Sequence, residues 1–323
     1  MALSSNAELP PRLSSSLVDP ELIPMAMAIG DLVLDEVSLL RMRESNPGPN
    51  FPIEDDVRLE EICIPGPPDD PDVRMLALIP QGLPKDSPSL IFIHGGGYVM
   101  GNPDGIAGLA STLAKAVGCV AFIPAYRLAP ETRWEGSRAD LYAALQWVYS
   151  NAEQFGATGK RLAIAGRSAG GGHAAGLALH ARKLGGPPIG YQMLLCPMLD
   201  DRQPDNPYLG EYVWTRQSDH FGWRALLGME PGGSDVPSEA VPARAEDLTG
   251  LPPTFIDVGS IELFADASIE YARRLMAAGV PVELHVMPGG YHGYESLVPD
   301  AAISRFVDQA VIRGLSSAFA RMV

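Results

Sequence analysis

Apolar residues change their rhythm along this chain, and the change divides it into parts. Between positions 20 and 43 they recur at helical spacing (Leu22, Ile23, Met25, Met27, Ile29, Leu32, Val33, Val37, Leu40), interrupted by Pro24 and Gly30. That pattern predicts two short helices outside the main sheet. The proline- and glycine-rich stretch 46–52 predicts a linker, and 57–64 and 74–79 predict two strands joined by a Pro-Gly-Pro-Pro turn, an antiparallel pair at a sheet edge.

Short apolar runs then alternate with helical segments. The runs 90–93, 120–123, 161–165, 191–195, 254–258 and 282–286 predict buried strands. Between and after them, 106–117, 138–151, 174–184, 266–278 and 301–320 predict helices. This alternation implies an eight-stranded, mostly parallel sheet with helices on both faces, in a single domain spanning 1–323. The stretch 201–249 does not fit the rhythm. It is rich in aromatics (Tyr208, Tyr212, Trp214, Phe221, Trp223), glycine and proline, and a connection of that length predicts a lid. With about 1–48 it is expected to form a cap over the active-site end of the sheet.

Composition narrows the function. Hydrophobic residues make up 46% of the chain and charged residues 20%, enough apolar material for a core. A net charge of −15 argues against a nucleic-acid partner, which requires positive potential, and against stable association with acidic lipid. Cys63, Cys119 and Cys196 give no disulfide framework and sit in apolar, strand-like runs, which predicts three small buried hydrophobes. The polar, serine-rich start, 1–17, has neither the basic opening nor the apolar run of a secretory signal, and no apolar run reaches membrane-spanning length. A cytoplasmic location is the expectation.

Chemistry gathers at Gly166-Arg167-Ser168-Ala169-Gly170. A Gly-x-Ser-x-Gly between a buried strand and a helix forces the serine into a strained turn and exposes its hydroxyl at the helix N-terminus. Such a nucleophile needs a base and a carboxylate that orients it, both beyond the C-terminal ends of strands. Of six histidines, His292 is placed for the role, in the glycine-rich loop after the last strand. Three acids compete after the preceding strand: Asp257 falls too early, Asp266 reads as a helix N-cap, and Glu262 lies in the loop itself. His94-Gly95-Gly96-Gly97 follows the third strand, and its backbone N–H groups, best from Gly96 and Gly97, can meet an oxyanion together with that of Ala169. Neither a phosphate loop nor a metal site is written in the chain: it lacks GxGxxG, a P-loop lysine, HExxH and CxxC. No cofactor is expected.

These motifs, with Tyr126-Arg127-Leu128-Ala129-Pro130-Glu131 and the closing His292-Gly293, resemble the hormone-sensitive-lipase-like (bacterial family IV) esterases of the α/β-hydrolase superfamily, over roughly residues 50–323. The resemblance implies an α/β-hydrolase fold, Ser168 as nucleophile, His292 as base, and Glu262 where the family usually carries Asp. It implies a carboxylesterase acting on small-molecule esters with short to medium acyl chains, and a homodimer built on the last strand and helix. Candidates to line the substrate pocket are Tyr98, Tyr212, Trp214 and Leu263. The alternatives are an amide, lactone or carbamate hydrolase with the same triad, or a ligand-binding receptor that has lost catalysis. Arg167 departs from the family, which carries an acid before the serine. Glu211 in the cap is a candidate partner for it, and a solvated side chain is the other reading.

Overall fold

The computed structural model describes residues 12–45 and 52–322. The predicted linker 46–52 therefore lies outside the described residues except for Pro52. Eight strands form one sheet: β1 (Val57–Ile64), β2 (Val73–Pro80), β3 (Ser87–Ile93), β4 (Val120–Pro124), β5 (Ala157–Arg167), β6 (Tyr191–Leu195), β7 (Thr254–Gly259) and β8 (Val282–Met287). Their spatial order is β8-β7-β6-β5-β3-β4-β2-β1. β2 runs antiparallel to both β1 and β4, and every other pairing is parallel. The hairpin register, Val57 opposite Pro80 and Ile64 opposite Val73, follows from the short turn between the two strands.

Central strands are apolar on both sides because both faces are covered. One face packs under α1 (Ile23–Ile29), α3 (Asp104–Val117) and α9 (Ala302–Arg321), and the other under α4 (Trp134–Asn151), α5 (Ala169–Leu184) and α7 (Ala265–Ala277). Leu90, Ile91, Phe92 and Ile93 of β3 are completely buried, each contributing about 1.5–3 kcal/mol through water removed from its surface. Edge strand β1 is different: Leu59 and Cys63 face solvent. The expectation of three buried cysteines therefore fails at Cys63. A strand with one open side alternates its residues between core and water, and Cys63 falls on the water side.

The front of the chain and the 201–249 stretch meet above the C-terminal ends of the strands. Asp31–Leu32 pairs in parallel with Val213–Trp214, and the Leu34 N–H donates to Ser218 Oγ. Glu211 accepts from the N–H and hydroxyl of Ser14. The 201–249 stretch also contains a helix that its glycines and prolines conceal, α6 (Arg216–Leu227), started by the Thr215 hydroxyl and ended by Gly228 in the left-handed region. Trp223 and Leu226 of α6 pack with Leu34, Leu39 and Trp214 in an apolar cluster of their own. From α2 (Glu36–Ser45), Arg43 donates to the carbonyls of Val99 and Ala129 and to both oxygens of Glu131.

Candidate active site

Ser168 stands between β5 and α5 with φ 56° and ψ −122°, an uncommon backbone for a side-chain-bearing residue. It is held there by its own N–H donating to Leu195 O and by its carbonyl accepting from Gly172 and Met198. The turn is tight enough that a Cβ on Gly170 would come within 2.1 Å of Ile93 O, which is why the sequence places glycine there.

His292 Nε2 lies 3.0 Å from Ser168 Oγ, and His292 Nδ1 lies 3.6 Å from Glu262 Oε1. The Gly259 N–H donates to the other carboxylate oxygen of Glu262 at 3.3 Å. All three side chains are buried, with Glu262 fully so. Asp266 is exposed in the first turn of α7 and faces a different depression. Asp257 is buried within β7.

Burial, then the Arg167 guanidinium, lowers His292 from 6.5 to about 4, while Glu295 pulls upward. Burial raises the Glu262 carboxyl well above its ordinary range, Glu295 adds to the rise, and the Gly259 N–H and Arg167 oppose it. The imidazole is neutral at neutral pH, the form that can accept a proton from a serine.

The glycine run lies directly against the elbow: a Cβ on Gly95 would sit 2.8 Å from Arg167 O and 3.2 Å from Ser168 Cβ. Gly96 and Gly97 have positive φ and line the same cleft as Ser168. Ala169 opens α5, so its N–H has no carbonyl within the helix to meet. His94 serves the loop rather than the chemistry. Its Nδ1 is 2.9 Å from Gly95 O, its ring stacks on Tyr126 at 4.3 Å, and burial lowers it to about 4.

The cleft above Ser168 holds about 880 Å³. Its walls are mainly apolar, with Met42, Met100, Leu109, Leu128, Val213 and Leu297, and Arg43 and Glu131 also line it. Of the four expected pocket residues, Trp214 lines the cleft and three do not. Tyr98 is buried beneath the glycine run, donating to Met198 O and packed between His173 and Trp223. Tyr212 packs on Tyr291 and under the Arg12 guanidinium. Leu263 is buried against Gly210. Aromatic and apolar character marks a residue for burial, and only the tertiary fold decides whether burial means core or cleft. The apolar residues just after the glycine run and just after His292 were the missed signal for the cleft walls.

Arg167 is neither solvated nor paired with Glu211. Its Nη2 lies 2.9 Å from Glu295 Oε1, and Nη1 donates to Ser296 Oγ. Glu295 and Ser296 belong to α8 (Tyr294–Leu297), the short helix directly after His292-Gly293.

Among the described residues, one group places three potential metal-ligand atoms within 4.8 Å of one another: Cys196, Glu262 and His292. Glu262 and His292 already face each other, and burial keeps the Cys196 thiol protonated, the reverse of what a thiolate ligand needs.

Comparison with known proteins agrees with this architecture. A family model described as alpha/beta hydrolase fold matches residues 90–296. The chain belongs to that family, in its hormone-sensitive-lipase-like branch. It is 33% identical to the esterase LipI of Mycobacterium tuberculosis, over 97% of each chain. It is also 33% identical to carboxylesterase NlhH of the same organism, over 95% of this chain and 97% of that one. Among solved structures, a bacterial heroin esterase superposes with a TM-score of 0.85 at 35% identity, covering 94% of this chain and 98% of that one.

Proposed function

We infer that this chain is a carboxylic ester hydrolase that works through an acyl-enzyme on Ser168. Ser168 Oγ attacks the ester carbonyl carbon while its proton passes to His292 Nε2. The carbonyl oxygen becomes an oxyanion facing the N–H groups of Gly96, Gly97 and Ala169. Collapse breaks the ester C–O bond, and the alcohol leaves with the proton from His292. Water then attacks the acyl-serine, again giving its proton to His292, and the acid departs. Glu262 holds the imidazole so that Nε2 faces the serine.

The observation that carries this reading is the 3.0 Å approach of His292 Nε2 to Ser168 Oγ. A protein that only bound ligand would have no use for that contact, so the receptor alternative is set aside. The apolar walls of the cleft support esters with short to medium acyl chains. Residues 12–45 and 201–249 together act as its cap. No helix among the described residues is long and apolar enough to cross a membrane. With three unpaired cysteines, a cytoplasmic location is the reading we favour. The free edge of β8 is the candidate surface for a homodimer.

The test is turnover of p-nitrophenyl esters graded by acyl length, with Ser168→Ala alongside. Turnover should fall to background in the variant. Retained hydrolysis would remove Ser168 from the mechanism, and a matched amide turned over faster than the ester would replace the ester assignment.

A further inference from the structure

Arg167 precedes Ser168 in sequence, and Glu295 follows His292 by three residues. Serine and histidine are 124 residues apart in the chain, so nothing local fixes their spacing. The ion pair between Arg167 and Glu295 crosses that gap beside the reacting atoms, with Arg167 and its partner Ser296 lining the cleft as well. The two side chains are only 15% and 11% exposed, and the 2.9 Å contact is supplemented by the Arg167 bond to Ser296 Oγ. Space has been made for it: a Cβ on Gly293, the residue between His292 and α8, would lie 3.1 Å from Arg167 Nη2, at φ +77°. We propose that Arg167 and Glu295 form a positioning pair, a buried ionic tie that holds the His292 loop against the Ser168 elbow. The proposal rests on the Ser168–His292 reading above.

The surroundings make the pair more than a brace. Glu262 and Asp257 from the β7 side are buried, and both oxygens of Asp257 have no hydrogen-bond partner. Glu295 pushes both carboxyls up and Arg167 pulls both down. The Cys196 thiol after β6 and the Tyr294 hydroxyl on α8 also face this cluster, and both are held protonated by burial. From α9, Asp308 is raised to about 6, with Glu295 adding to the effect of burial and Arg167 opposing it. In all three acids the guanidinium therefore opposes the rise that burial and Glu295 impose. His292 feels the same two charges with opposite sign, lowered by Arg167 and raised by Glu295. Neither Glu295 oxygen has a hydrogen-bond partner, so the tie is an ion-pair contact beside the Ser296 hydrogen bond, and a guanidinium suits it because it does not lose its proton.

The experiment compares Arg167→Met, Glu295→Gln and the double variant in the full chain, reading kcat, KM and the acid limb of kcat/KM from the lowest pH at which the protein stays folded up to neutrality, so that a shift below the wild-type midpoint of about 4 is resolved. Each single variant should lose about tenfold in kcat with KM little changed, and the double should lose less than the product of the two, as partners in one network do. The acid limb should move up in Arg167→Met and down in Glu295→Gln, a pair of opposite shifts that a purely structural role does not produce. Arg167→Lys, which keeps the charge but loses the guanidinium, guards against a misfolded methionine variant. It should retain the wild-type limb while losing part of kcat. Additive losses, or an unmoved limb in folded Arg167→Met and Glu295→Gln, would overturn the proposal. Should Ser168→Ala stay active, the failure lies in the catalytic reading. With Ser168→Ala inactive and the tie variants at wild-type values, only this inference fails.

Discussion

Trp214 sits directly over Gly97. A Cβ added to Gly97 would fall 2.1 Å from Trp214 Cη2, at a backbone φ of +58° that side chains seldom adopt. The cap and the oxyanion loop are thus in contact through one indole ring, and glycine is the only residue that fits beneath it.

Gly97→Ala should therefore displace either the indole or the loop. Loss of one well-placed donor costs about 10²–10³-fold in kcat. Steady-state kinetics on a p-nitrophenyl ester will read this, and Gly97→Ala/Trp214→Ala should recover part of the thermal stability lost by the single variant. A Gly97→Ala enzyme with unchanged kcat would place the oxyanion elsewhere.

Catalysis by neutral His292 should have an acid limb well below that of a free histidine. The imidazole must be unprotonated to act, so activity is present above its pKa and is lost as pH falls through it, and burial brings that value to about 4. This is lower than the neutral-range limb a solvated loop histidine would give. The kcat/KM profile should be nearly level from pH 7 to about 5.5. A midpoint near 7 would mean that attraction to anionic Glu262 outweighs burial.

Glu262→Gln keeps the shape and replaces the carboxyl group that faces His292 Nδ1 with an amide. By analogy with other orienting carboxylates, kcat should fall by about 10⁴ with KM near its original value. Glu262→Asp, shorter by one methylene across a gap already 3.6 Å wide, should lose activity by a smaller factor. A Glu262→Gln enzyme with wild-type kcat would remove the carboxyl from the mechanism.

Arg43→Ala removes the bonds from α2 to Val99 O, Ala129 O and Glu131. The two carbonyl contacts are worth about 1 kcal/mol each, whereas the Glu131 contact is largely solvent-screened. KM should rise severalfold with kcat little altered, because the rim of the cleft loosens while Ser168, His292 and Glu262 stay in place. Thermal melts beside the kinetics will separate loosening from global unfolding.

The strands were legible because burial on both faces leaves apolar runs. Where polar residues are buried, the apolar run is shorter than the strand. β3 begins at Ser87 rather than 90, since the hydroxyls of Ser87 and Ser89 are satisfied by Pro84 O and Thr158 O. Helix α5 begins at Ala169, through glycines that read as breakers but that the close approach to β3 requires. Ser168, His292 and Glu262 could be named because each sits at a strand end in a recognisable turn. Glu295 could not. Its importance comes from which side chain crosses to meet it, and a sequence separation of that size leaves no local pattern.

Cys63 faces water on β1, while Cys119 and Cys196 are at most 1% exposed. Burial raises both of those thiols well above their ordinary value. The native chain thus carries one addressable sulfur, outside the residues that line the cleft. A maleimide dye or a solid support should couple there with single stoichiometry, giving a labelled or immobilised enzyme without any cysteine having to be engineered in or out.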